Sequence, residues 1–145
     1  TNERGTPGTW RLPAHRSKTG AGLEIPLVPT VADWFRDLRV MAAGSEWVLP
    51  ARRQDPKARS GHVGSDTINV ALGRVEHGLV PFTVHDFRRT ARTHLAMLGI
   101  SSEVAERCLN HKLKGIADVY NRHDYLAERM QAQAKLAQLL VSLGA

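Results

Sequence analysis

A chain of 145 residues, 42% of them apolar, can bury one real core and is short for two. Lys and Arg exceed Asp and Glu by 6, with three times as many Arg as Lys, a bias towards bidentate phosphate contacts that favours nucleic acid over general solubility. The single Cys108 excludes an intramolecular disulfide and suits a reducing cytoplasm, and neither a transmembrane-length apolar run nor a secretory signal pattern is present.

Thr1–Gly8 is polar and interrupted by Gly and Pro, which reads as a frayed or cut end. Trp10 and Leu12 then alternate with Arg11, and Leu23, Ile25 and Leu27 alternate with Glu24 and Pro26. Two short strands around SKTGAG predict a β-hairpin, and Pro26 places one of them at an edge. Lys18 opens that turn, where an exposed lysine ordinarily does no more than solubilise. Thr30–Ala42 is predicted helical, with Thr30 and Asp33 spaced as a capping box and Val31, Trp34, Phe35 and Leu38 facing a core.

Trp47–Pro50 is an extended apolar run. The stretch ARRQDPKARSGHVG follows, and its Arg52, Arg53, Lys57 and Arg59 sit among Gly, Pro and Ser. A solvated loop is the cheapest account of these charges, and contact with a DNA backbone is the functional one. Ser65–Glu76 is predicted helical with Ile68, Leu72 and Val75 inward.

His85–Leu98 forms the next predicted helix, with Thr83 as N-cap and Phe87, Ala91, Leu95 and Leu98 at helical spacing. Gly99 ends that pattern, and Ser101 or Ser102 caps a short helix through Leu109. Cys108 shares a face with Val104 and Ala105, which makes it a core thiol rather than a nucleophile. Asp124–Leu143 is a last amphipathic helix, with Leu126, Met130, Ala137, Leu140 and Leu143 on one side. The fold class that follows is α+β and mostly helical: a small antiparallel hairpin or three-stranded sheet against a helical body.

His85, Arg88 and Arg92 fall on a second stripe of the His85 helix, near the positive end of its dipole. An imidazole and a guanidinium converging at a helix N-terminus make a site for an anionic oxygen, most naturally a phosphate. HxxR alone is a common accident on a solvated basic face. The whole order is not: HDFRRT, an apolar helix, a Gly turn, a second helix ending in LNH, and Tyr120 nine residues beyond His111.

In these strings, and in VYNRHDY, the chain resembles the catalytic domain of the tyrosine recombinases, the phage integrase family, and above all integrases of prophages and genomic islands. The resemblance implies that Tyr120 attacks DNA to form a 3′-phosphotyrosyl link, while Arg88 clamps the phosphate. It implies that His85 bonds the phosphate or accepts the tyrosine proton, that His111 donates to the phosphate, and that Lys18 protonates the leaving 5′-oxygen. Tyrosine, with a pKa of about 10, needs such help to attack, and fixed donors on the phosphate supply most of the rate in phosphoryl transfer. Arg89 and Arg92, with Arg52, Arg53, Lys57 and Arg59, are then expected DNA contacts.

Neither metal nor nucleotide is expected as cofactor. Seven histidines lack HExxH or CxxC spacing, no Gly-rich phosphate loop occurs, and a covalent protein–DNA bond conserves the phosphodiester energy without ATP. The partners implied are double-stranded attachment sites, a second copy docked through the C-terminal helix, and accessory DNA-bending proteins, with no membrane. Two departures from the family stand out. Asn110 replaces the usual Gly before His111, a residue that tolerates a left-handed helix cap. The family's earlier arginine, in an ARxGE-like string upstream of the hairpin, has no counterpart here. The expectation is therefore one catalytic domain over residues 1–145, truncated at its N-terminus, that binds DNA but cleaves it poorly. A type IB topoisomerase shares the residue set, though the short hairpin and VYNRHDY argue against it. A non-catalytic DNA-binding module is opposed by the intact Lys18, His85, Arg88, His111 and Tyr120.

Overall fold

The computed structural model describes residues 4–17, 20, 22–51, 61–111 and 123–144. Lys18, Arg52, Arg53, Lys57, Arg59 and Tyr120 lie outside the described residues. The fold is α+β and mostly helical. Its elements are strands β1 (Gly8–Leu12) and β2 (Leu23–Leu27), and helices α1 (Pro29–Met41), α2 (Thr67–Leu72), α3 (Val84–Met97), α4 (Ser102–Cys108) and α5 (Leu126–Leu143). A 3₁₀ turn at Ala14–Arg16 follows β1. The chain divides into two units, Thr1–Asp33 with Thr90–Ala145, and Trp34–Arg89.

In the first unit, β1 and β2 pair antiparallel, with Gly8 opposite Leu27 and Leu12 opposite Leu23. Among the described residues the sheet has these two strands and no third. Both are therefore edges, which is where a proline is tolerated, and Pro26 is fully buried opposite Thr9. The core is Leu95 of α3, Val104 and Ala105 of α4 and Ala132 of α5, with Ile100, Cys108, Tyr125 and Leu136 packed against it. Burial pushes the Cys108 thiol pKa up, and its Sγ lies 4.0 Å from the Arg129 carbonyl, as befits a core thiol.

Gly99, at φ 73°, ends α3: the Ile100 N–H reaches the Leu95 carbonyl and the Gly99 N–H reaches Ala96. That pair of bonds is a Schellman motif, and glycine meets its left-handed requirement without a Cβ penalty. Two residues later Ser101 caps α4, its hydroxyl accepting from the Val104 N–H at 3.4 Å.

Four elements differ from expectation. Helix α1 begins at Pro29, whose ring pre-sets the first helical φ, so Thr30 lies inside the helix and no Thr30–Asp33 capping box forms. The Asp33 carboxylate accepts instead from the Gly5 N–H, at 3.1 and 3.2 Å. Helix α2 is only six residues long and closes at Gly73 with i→i+3 bonds from Arg74 and Val75, leaving Ile68 and Val75 exposed. The Trp47–Pro50 run is bent rather than a strand. It pairs locally through a Pro50–His62 bridge, and Trp47 packs edge-on against His62 at 4.7 Å. Gly61 is required there, since a Cβ would meet the Trp47 indole nitrogen at 2.8 Å.

Helix α5 starts at Leu126, and its buried positions are Arg129, Ala132 and Ala137. Of the expected stripe, Ala137 is buried and Met130 half-buried, while Leu126, Leu140 and Leu143 are exposed, because α5 approaches the core where the small Ala132 and Ala137 lie. No described helix is long and apolar enough to cross a membrane.

Candidate active site

Thr83, Asp86 and the flanking phenylalanines fix where α3 begins, and therefore where His85 and Arg88 stand. Asp86 Oδ2 accepts from both the N–H and the hydroxyl of Thr83 at 2.9 Å, the carboxylate half of a capping box, while the Asp86 N–H reaches the Thr83 carbonyl at 3.0 Å. The Val84 N–H donates to the Asn69 side chain of α2 at 2.9 Å. Phe82, just before the cap, packs edge-on against Phe87 at 5.3 Å, a hydrophobic staple. Phe87 is consequently 52% exposed and serves the helix start rather than the expected core stripe. The Thr83 backbone and hydroxyl bonds, aided by Arg89 at 3.6 Å, hold the Asp86 carboxyl below the usual aspartate range. His85, Arg88 and Arg89 are exposed beside this cap.

In the other unit, α4 ends in a second Schellman motif. Asn110 takes φ 53°, its N–H reaches the Arg107 carbonyl, and the His111 N–H reaches the Glu106 carbonyl at 2.9 Å. Asparagine thus does in LNH what glycine would do. Asn110→Gly should leave stability in urea unfolding unchanged or slightly raised, whereas Asn110→Val should cost about 1–2 kcal/mol, the left-handed penalty. Equal stability of the valine variant would show that the cap relaxes.

The side chains around His111 form a connected set of bonds. Its Nδ1 lies 2.5 Å from Glu106 Oε2, and Glu106 Oε1 accepts from Arg92 Nε at 2.7 Å. Arg92 Nη2 donates onward to the Ser102 hydroxyl at 3.0 Å. The bond from Arg92, and after it that from His111, pulls the Glu106 carboxyl below the usual glutamate range. Arg92, grouped by sequence with the DNA contacts, directs its guanidinium onto Glu106 and Ser102.

A third feature lies on the last helix. Arg129 of α5 is 3% exposed, and its Nη2 donates to the Glu24 carbonyl of β2 at 2.6 Å while Nη1 lies 3.4 Å from the Asp124 carbonyl. It lines a cleft of about 580 Å³ beside the turn-side ends of β1 and β2 with Arg11, Gly22, Glu24 and Asp124. Its spacing before Ala132 and Leu136 marks an inward position, which its charge disguised. Glu106, five residues before His111, could have been found from that spacing at a helix end.

The described arrangement offers an imidazole and guanidinium pair at a capped helix start, and an imidazole held by a carboxylate at a helix end. Both suit contact with anionic oxygen. A family model described as "Phage integrase family" matches residues 6–126, while comparison with curated proteins and with solved structures found no match. That match runs from the hairpin through HDFRRT and LNH to Leu126, so the chain belongs to the phage integrase family, the tyrosine recombinases of site-specific DNA recombination.

Proposed function

We propose that this chain is the catalytic domain of a site-specific recombinase that cuts and rejoins double-stranded DNA through a 3′-phosphotyrosyl intermediate, using neither metal nor ATP. Tyr120 attacks phosphorus, Arg88 and His111 hold the non-bridging oxygens, His85 bonds the phosphate or takes the phenol proton, and Lys18 protonates the departing 5′-oxygen. The reading is carried by His85 and Arg88 standing exposed in the first turns of α3, whose start is fixed by the Thr83–Asp86 bonds and the Asn69 bond. A rigid, capped helix start is what a preorganised phosphate clamp requires. The exposed Arg89 then contacts the flanking DNA backbone. The exposed leucines Leu126, Leu140 and Leu143 of α5 are available for self-association on DNA.

The test is a nicked suicide substrate carrying the natural site, scored for covalent adduct with the longest protein that carries this chain. Arg88→Ala should lower the rate of adduct formation by roughly 10²–10³, the cost of one preorganised donor, and chelating divalent metal with EDTA should leave the wild-type rate unchanged. Wild-type adduct formation in the Arg88 variant would refute the clamp.

A further inference from the structure

We propose that Glu106 is a positioning residue for His111, acting as the carboxylate that holds the imidazole by Nδ1 so that Nε2 is the atom offered to the scissile phosphate. The inference rests on His111 serving the phosphate, as proposed above. Glu106 grips His111 twice: its main-chain carbonyl accepts the His111 N–H at 2.9 Å, and its side-chain Oε2 meets Nδ1 at 2.5 Å. The first bond fixes where the residue leaves the helix, and the second fixes the ring plane.

A lone surface carboxylate would swing between solvent and ring, and an exposed pair of this kind holds little geometry. Glu106 is not alone. Arg92 Nε takes its other oxygen at 2.7 Å and is itself tied to Ser102 at 3.0 Å. The Glu106 side chain is 28% exposed against 42% for His111, so the carboxylate is the more sheltered member and the imidazole the one presented outward. The lowered Glu106 pKa keeps the carboxylate charged, hence an acceptor, at neutral pH. With a carboxylate at Nδ1 and a phosphate oxygen at Nε2, the ring donates from both nitrogens, and donation by a charged group is the stronger kind.

Glu106→Gln tests this with little change of volume. Arg92 can only donate, so the new amide oxygen must face Arg92 and the NH₂ must face His111 Nδ1. Nδ1 then has to accept, and the ring loses its proton there. In ¹⁵N-resolved NMR of the chain, the His111 Nδ1 signal should move from the protonated to the unprotonated range. In the suicide-substrate assay, single-turnover cleavage by the longest protein carrying this chain should fall by about tenfold or more, with DNA affinity unchanged. The double variant Glu106→Gln with His111→Ala should be no slower than His111→Ala alone, because a residue that acts only through another adds nothing once that other is gone.

If His111→Ala cripples cleavage while Glu106→Gln leaves rate and Nδ1 signal unchanged, the positioning role is wrong and the phosphate role of His111 stands. If the double variant is slower by the product of the two single losses, Glu106 acts through the fold instead, and the proposal also falls. If His111→Ala itself cleaves normally, it is the assignment of His111 in the proposed function that fails.

Discussion

Tyr120→Phe is expected to abolish the covalent DNA adduct, leaving no product after hours with a nicked suicide substrate, whereas Tyr125→Phe is expected to retain it. The two are the only tyrosines among these 145 residues, so they are the two phenols the assay has to tell apart. In the role proposed for Tyr120, phenylalanine removes the attacking oxygen and keeps the ring. Tyr125 has a structural task. It is the N-cap of α5 at φ 54°, packs against the buried cluster, lies 4.6 Å from the His123 ring, and has the Arg107 guanidinium 6.0 Å from its ring centre. Its loss should appear as a modest fall in stability, and adduct surviving Tyr120→Phe but not Tyr125→Phe would reverse the assignment.

Arg129→Ala should destabilise the chain by about 2–4 kcal/mol in urea unfolding, through the emptied volume and the carbonyls left without a donor. A domain of this size holds roughly 5–15 kcal/mol in total, so the variant would be severely weakened. Arg129→Met should cost distinctly less, because it refills the space and removes the burden of a buried charge. The partners of Arg129 are main-chain carbonyls of β2 and of the residues before α5, so its contribution is geometric as much as electrostatic. An alanine variant within about 1 kcal/mol of wild type would mean that the guanidinium is not structural.

Much of this was legible in the sequence, and the misses have a common physical origin. Local rules succeeded: alternation gave both strands, Thr83 and Ser101 gave helix starts, and Gly99 and Asn110 gave the left-handed ends, because each depends on neighbours within four or five residues. Faces were harder. In α5 the buried positions are Ala132, Ala137 and one arginine, and only Ala137 of these belongs to the apolar stripe, whose Leu126, Leu140 and Leu143 are exposed. Phe87 reads as core and is a staple, since its partner Phe82 precedes the helix. Glu106 was only half legible: its spacing from His111 is local, but its other partner, Arg92, lies fourteen residues earlier, and no periodicity links two helices across a turn. The match over residues 6–126 bears out the family read from HDFRRT, LNH and VYNRHDY, whose spacing is written locally even where its geometry is not.

The Arg129–Glu24 bond also sets an order of assembly on the ribosome. It joins residues 105 apart in sequence, within a unit made from both ends of the chain. At roughly 5–20 residues per second, β2 waits on the order of 5–20 s for its anchor to be translated, and so long a loop closes late and slowly. Trp34–Arg89 is contiguous and can be finished in the meantime. The nascent chain therefore passes through a stage with one complete unit and a hairpin whose clasp has not yet been made. Whatever depends on the closed unit is withheld from the unfinished protein.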